Sequence, residues 1–371
     1  MKKYDIAAFV WPSYTGDELR SRIFWPEGIG EWQTVKKATA KFEGHTWPRK
    51  PLWGYVNEAD PKVMEMEINE AVSHGVNVFI YDWYWFDKRP FLENCLNTGF
   101  LGAKNNGDMR FYLMWANHNV NHLWQKELSD TECGETVIWQ GGVDSKEFEI
   151  MTDRLIDKYF TLPNYYKIDG CPVFMIYETS TFIEGMGGID SAARALEGLR
   201  RRVKEKGLPG IHLQVTGRPG GTMTLTGVDS GRTVDSKEVM QILGIDSFTH
   251  YQFVHFVNID RDYNDIMEDV KRVWSTAEED YGIPYFAHIS CGWDNNPRFY
   301  GFRPGIVKNN TPENFERALY CAKEYTDKHG DRVPLITVNS WNEWTETSYL
   351  EPDDLYGYGY LDAIKKVFTE E

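Results

Sequence analysis

Short apolar runs rich in β-branched and aromatic residues recur along the chain, and longer stretches with helical periodicity separate them. The runs at 5–11, 76–81, 110–115, 172–177, 211–216, 247–253, 284–290 and 335–339 read as strands, the sixth more weakly than the others. Helices are predicted over 61–74, 91–104, 144–160, 189–206, 262–281, 311–329 and 359–368. Asp60-Pro61, Asp144-Ser145 and Thr311-Pro312-Glu313 supply start signals. Val63, Met66, Ile68 and Ala71 give the first helix its apolar stripe, and Arg200-Arg201-Arg202 reads as a solvated face.

Near-continuous apolar strands alternating with helices imply a parallel sheet covered on both faces. Eight such units imply an α/β fold, a (β/α)₈ TIM barrel. Nothing reads as a linker, so residues 1–371 are expected to form a single domain with long loops over the C-terminal face. Residues 12–60 are irregular, and a long connection of this kind is usually functional or disordered. Their aromatics, from Tyr14 to Trp53, favour an ordered loop over the barrel mouth. The Gly- and Thr-rich stretch 219–245 has no clear assignment.

Composition narrows the function. The 371 residues are 42% hydrophobic, enough for a full core, and the formal charge of −16 argues against nucleic acid or an anionic membrane as partner. Aromatics reach 15%, with 14 Trp and 21 Tyr, many beside polar residues, as sugar recognition requires. Cys95, Cys133, Cys171, Cys291 and Cys321 form no CxxC pair and fit a reducing compartment. The opening segment has Lys2 and Lys3 but only a brief apolar run, interrupted by Asp5 and ended by Pro12. It reads as a strand, which makes the expected location cytoplasmic; a secreted form with its leader removed is the alternative. No stretch approaches the ~18 apolar residues of a membrane span.

In such barrels chemistry gathers where strands end. The strand ends offer Asp82, Trp83 and Tyr84; Trp115, Asn117 and His118; Tyr177 and Glu178; Arg218; His250, Tyr251 and Gln252; Trp293 and Asp294; then Trp341, Asn342, Glu343 and Glu346. A ring of acids, amides and aromatics at one mouth suits an oligosaccharide or polysaccharide. Trp83, Tyr84, Trp115, Asn117, His118, Tyr177, Glu178, Tyr251 and Trp293 are expected mostly to line one cleft with the two glutamates. Asp82, Arg218, Trp341 and Asn342 are further candidates for binding substrate. Glu343 and Glu346 would face opposite ways in an extended chain. If the backbone curls, they share a side roughly 5–6 Å apart at Cβ, a spacing suited to acid/base work on a glycosidic bond. No metal or other cofactor is expected. His118 and His122 lie four apart without the glutamate of a His-Glu-x-x-His motif, and Ser340 lies in no Gly-x-Ser-x-Gly elbow.

The segment Asn342-Glu343-Trp344-Thr345-Glu346, on the last predicted strand, resembles the catalytic segment of glycoside hydrolase family 99, the endo-α-mannosidases and endo-α-mannanases. The resemblance is closer to the bacterial family 99-like, or WbsX-like, domains, which are often labelled glycosyltransferases. Trp53-Gly54-Tyr55, Phe79-Ile80-Tyr81-Asp82-Trp83-Tyr84 and Gly357-Tyr358-Gly359-Tyr360-Leu361 carry it across nearly the whole chain. It implies a retaining glycoside hydrolase without a protein nucleophile. Matched by position, Glu343 would be the base on the sugar's own 2-hydroxyl, giving a 1,2-anhydro sugar. Glu346 would protonate the leaving oxygen and then activate water. The resemblance implies α-mannoside-type or related bacterial or host glycans as substrate, with the sugar itself left open, because the loops at 12–60 and 219–245 have no residue-by-residue match. Three other readings stand beside this one: a two-carboxylate retaining hydrolase, a transferase or transglycosidase using the same site, and a non-catalytic sugar-binding barrel.

Overall fold

The eight apolar runs become eight parallel strands in the computed structural model, which describes residues 4–370 other than 219, 226, 228 and 229. Lys2 and Lys3 lie outside the described residues, as do four positions of the 219–245 stretch. The strands are β1 (Asp5–Val10), β2 (Val78–Phe86), β3 (Arg110–Trp115), β4 (Cys171–Ile176), β5 (His212–Thr216), β6 (Ser247–Thr249), β7 (His288–Ser290) and β8 (Leu335–Asn339). Each pairs in parallel with its sequence neighbour from β1 to β6, and β7 pairs with β8. β8 returns to β1, with Asp5 opposite Leu335. β6 and β7 meet through one bridge, Phe248 to Tyr285, where the Phe248 N–H donates to Pro284 and its carbonyl accepts from Phe286. The result is a (β/α)₈ barrel. Among the described residues no helix is long and apolar enough to cross a membrane.

The barrel interior is hydrogen-bonded as well as apolar. Tyr112 donates to Gln214 at 3.0 Å, and Gln214 donates to Ser247 at 3.1 Å. A layer nearer the mouth joins Thr249 to Thr337 at 2.7 Å and His288 to Thr337 at 3.0 Å. Burial holds His288 neutral, its pKa well below the ordinary value. Every second residue of a strand points inward, so these layers fix which side chains reach the mouth.

The helices begin where cap chemistry predicts. Asp60, Asp144, Asp262 and Thr311 accept N–H bonds at the starts of Pro61–Ser73, Ser145–Leu155, Tyr263–Tyr281 and Pro312–Lys328. Two expectations fail locally, and the unassigned 219–245 stretch takes form. The helix predicted over 91–104 is instead a short strand, Arg89–Phe91, hairpinned onto β2, then a π-helical turn, Cys95–Phe100. Asp87, Lys88 and Leu92, all with positive φ, turn the chain there. The first helix buries Met64, Ile68, Ala71 and a carboxylate, Glu67, while Val63 and Met66 are half-buried. The 219–245 stretch holds a hairpin, Thr222–Thr224 with Thr233–Asp235, and a helix, Ser236–Leu243.

Residues 12–60 lie over the C-terminal mouth, as expected. Trp47 Nε1 donates to Thr347 Oγ1 at 2.9 Å, and Thr345 Oγ1 donates to Glu31 Oε1 at 3.0 Å. Gly30 lets the loop fold back closely on itself beside Glu31. Its φ is +59°, and a Cβ there would sit 1.8 Å from the Ser13 carbonyl oxygen. Gly44 also has positive φ, +84°, but open space around it. Gly30→Ala should therefore cost roughly 3 kcal/mol or more, through strain plus a backbone clash. Gly44→Ala should cost only the left-handed penalty, about 1–2 kcal/mol. Urea denaturation of both variants checks the difference; equal costs would mean the loop is not packed in this way.

Candidate active site

β8 ends at Asn339, and the chain then curls. Asn342–Glu343 pairs with Ser348–Tyr349, and Trp344–Glu346 forms one 3₁₀ turn between them. Thr347 closes the turn at φ 55°. The curl brings Glu343 and Glu346 into one cavity of about 230 Å³ at the barrel mouth. Its walls include the aromatic rings of Trp11, Tyr84, Trp124, Tyr177 and Tyr251, and its polar lining includes Asp82, His118, Arg298 and the two glutamates. Typical ligand pockets are ~300–1,000 Å³, so this one is small.

Arg298 organises the acids. Its Nη1 donates to Glu346 Oε1 at 2.8 Å, its Nη2 to Glu343 Oε2 at 3.4 Å and its Nε to Thr345 Oγ1 at 2.8 Å. Glu31, fully buried in the 12–60 loop, lies 3.7 Å from Arg298 Nε and accepts from Trp11 Nε1 at 2.5 Å. Burial alone would lower the pKa of Arg298, but Glu346, Glu31 and Glu343 outweigh it and hold the guanidinium charged.

Burial pushes Glu343 well above the usual carboxylate range, and the Glu346 charge adds to the shift. Burial also raises Glu346, although Arg298 pulls it back down. Asp82 is pushed up by burial as well. Tyr251 OH lies 2.8 Å from Asp82 Oδ2 and 3.2 Å from Glu343 Oε1. One phenolic proton serves one of these contacts, so the other needs a proton on a carboxyl. Burial keeps His118 toward neutral and lowers His255, which also lines the cavity, to about 3.

Seven of the residues anticipated from sequence meet at this cavity: Asp82, Tyr84, His118, Tyr177, Tyr251, Glu343 and Glu346. The others do not line it, and of the nine expected mostly to share the cleft only Tyr84, His118, Tyr177 and Tyr251 do so. Strand parity is the main reason. Asp82 and Tyr84 face in, so Trp83 faces the helices, where its Nε1 donates to Glu93 at 2.8 Å. Met114, Ala116 and His118 face in, so Trp115 packs on Phe148 and Phe182. Asn117 ties the ends of β3 and β4 together through both backbone groups of Glu178. Glu178 pairs with Arg218 at 2.8 Å, and that guanidinium sits 5.1 Å from the centre of the Tyr177 ring, so both act on the cavity through Tyr177. Trp293 lines a separate cavity with His45, Arg49 and Asp294. Trp341 and Asn342 face away, toward Glu67 and Glu58.

Sequence reasoning missed Trp11, Trp124, Arg298 and Glu31. Trp11 carried a signal, since it ends the first strand and shares the inward parity of Phe9. Arg298, Trp124 and Glu31 sit in loops without periodicity, and nothing in the pattern marks them.

A family model described as glycosyltransferase WbsX matches residues 6–364. Two curated relatives from strains of Xanthomonas campestris pv. campestris, each called uncharacterized protein WxcX, are 25% and 26% identical over 356 and 351 residues. Both alignments cover 93% of this chain and 47% of the relative, so the chain spans about half the length of the curated relatives it matches. Among solved structures, the GH99 endo-α-mannosidase from Bacteroides thetaiotaomicron superposes with a TM-score of 0.61 at 12% identity, covering 99% of this chain and 97% of that one. A glycoside hydrolase-like protein gives 0.61 at 13% identity, covering 99% and 94%. These likenesses show the fold.

The raised pKa of Glu343 sets a pH dependence. Below the unfolded carboxylate pKa both states hold the proton and stability is complete. As pH rises toward the folded pKa the unfolded state releases its proton first, and stability is lost. Glu343→Gln removes that loss. Thermal melting should show the variant gaining stability over the unmodified protein at pH 8 and little or nothing at pH 4. A gain independent of pH, or a loss at pH 8, would contradict the buried, proton-holding carboxyl.

Proposed function

The chain belongs to the WbsX glycosyltransferase family, and from that premise we propose that it cleaves or transfers a glycosidic bond in its barrel-mouth cavity, as a retaining glycoside hydrolase of the endo-α-mannosidase type. The observation that carries the proposal is the pair Glu343 and Glu346, buried side by side under aromatic rings and joined by Arg298. Aromatic walls take the apolar faces of a sugar ring, and the acids take its hydroxyls and reacting oxygens. α-Mannoside-type glycans are the proposed substrate class, on the resemblance of the Asn342–Glu346 segment and the likeness of fold.

In the proposed reaction Glu343 accepts a proton from the sugar's 2-hydroxyl as that oxygen attacks the anomeric carbon. Glu346 protonates the departing oxygen, and the 1,2-anhydro sugar then opens to water or to an acceptor hydroxyl. Burial raises both carboxyls, and Arg298, 2.8 Å from Glu346 and 3.4 Å from Glu343, favours the charged form of Glu346 more. Substrate shifts that balance. A hydroxyl donating to Glu343 stabilises its charged form, with Tyr251 donating from the other side and Asp82 holding the second proton. Glu346 Oε1 accepts from Arg298, while its buried Oε2 has no partner and is free to carry the proton to be delivered. The reaction is two proton transfers with the bond changes at carbon, within the reach of general acid/base catalysis.

Transfer to a sugar acceptor uses the same pair, and membership of a family described as glycosyltransferases favours keeping it as the second reading. Glu343→Gln and Glu346→Gln should each lower kcat/KM on the order of 10²–10⁴-fold. With an activated aryl glycoside whose leaving group needs no proton, Glu346→Gln should regain much of its first-step rate and Glu343→Gln should not. A 2-deoxy substrate should fail with the unmodified protein. Efficient cleavage of that substrate, or a glycosyl ester trapped on a carboxylate, would replace the neighbouring-hydroxyl mechanism with a two-carboxylate one. Product analysis with added acceptor sugars separates transfer from hydrolysis.

A further inference from the structure

Behind the acid pair, on the side of the segment that faces away from the cavity, three more carboxylates converge. Glu58 comes from the 12–60 loop, Glu67 from the helix Pro61–Ser73, and Glu351 from just after the Ser348–Tyr349 strand. They are 0%, 0% and 3% exposed, and one oxygen from each lies within 4.8 Å of the others. Most of their hydrogen bonds come from the 341–344 segment. Asn342 Nδ2 donates to Glu58 at 2.9 and 3.1 Å, Trp341 Nε1 to Glu67 Oε2 at 3.1 Å, and Trp344 Nε1 to Glu351 Oε2 at 2.5 Å. Cys95 Sγ lies 3.5 Å from Glu58 Oε2. Glu67 Oε1 and Glu351 Oε1 are buried and have no hydrogen-bond partner.

The influences on the three carboxyls are burial, each other, and neutral N–H and S–H donors, with no lysine, arginine or histidine among them. Buried charges are normally paired or bound to metal. Two oxygens with no partner, set in a group of three carboxylates, are what a cation would satisfy. Hard oxygen donors select calcium, magnesium or manganese over softer metals. Calcium binds oxygen at ~2.3–2.6 Å in flexible geometry, and oxygens around one such ion lie no further apart than twice that distance, which accommodates the observed spacing. We propose that Glu58, Glu67 and Glu351 bind one calcium-class divalent cation, which fixes the 341–344 segment from behind. Glu58 and Glu67 are nine residues apart and Glu351 lies far downstream, so no familiar ligand spacing announces them.

The site is separate from the cavity acids and its test is independent of activity. The protein is stripped with EDTA, re-equilibrated with calcium, manganese or magnesium chloride, desalted and assayed for metal content and melting temperature. The expected result is one calcium per chain, with a rise in melting temperature on the order of 3–5 °C. Magnesium should give a smaller rise. Glu67→Gln and Glu351→Gln should lose both the metal and the rise, while Glu346→Gln should keep them. No retained metal in the unmodified protein, with a melting temperature indifferent to all three ions, would overturn the proposal and leave the triad as carboxyls sharing protons. Loss of metal in Glu346→Gln but not in Glu67→Gln would place the ion at the cavity acids instead and equally overturn it. Should a glutamine variant fail to fold, the metal content and melting of the unmodified protein decide alone.

Discussion

One guanidinium sits where the molecule's electrostatics would otherwise fail. Arg298 reaches Glu343, Glu346 and Glu31 from a single buried position. Without it, several carboxylates would share one desolvated space, and the cheapest response would be to protonate or to separate them. With it, Glu346 is held against a charge at 2.8 Å, Glu343 at 3.4 Å, and the 12–60 loop is fastened over the mouth through Glu31. Two features distant in sequence, an irregular loop near residue 31 and the turn after β8, thus depend on one side chain from the loop after β7.

A second constraint is the curl of the chain after β8. Residues 341, 342 and 344 point away from the cavity, and 343 and 346 point into it. The backward-facing side chains are each tied to a buried carboxylate, and the forward-facing ones are tied to Arg298. The segment is gripped from both sides by groups in the low-dielectric interior, where hydrogen bonds are strong and unmade ones are costly. Such a segment holds its acids in one geometry, as general acid/base chemistry requires.

The barrel was legible because its information is periodic and local. Eight apolar runs, the intervening helices other than the one expected over 91–104, and the caps at Asp60, Asp144 and Thr311 follow from side-chain size and hydrogen bonding within a few residues. The acid pair was legible because its spacing combines with a turn at a strand end. The resemblance of that segment to family 99 foreshadowed the family that the chain belongs to. The pocket lining was half legible. Position just after a strand selected both parities, whereas only one parity faces the cavity; Tyr84 and His118 pass that filter, and Trp83 and Trp115 do not. Arg298, Glu31 and Trp124 were beyond reach because they arrive on loops whose paths depend on long-range packing. Glu67 was hidden for another reason: a carboxylate stands on the core face of an otherwise ordinary amphipathic helix.

The central claim is that the cavity holding Glu343, Arg298 and Glu346 does chemistry on a sugar. The measurement that tests it most directly is a screen of mixed glycans with the purified protein, following newly formed reducing ends and transferred sugars by NMR, beside a variant carrying both Glu343→Gln and Glu346→Gln. The account predicts that the unmodified protein releases or transfers a sugar with retained anomeric configuration, and that the double variant binds the same glycan without turning it over. Inverted product, equal turnover by the double variant, or glycan binding with no bond cleaved by either protein would contradict it.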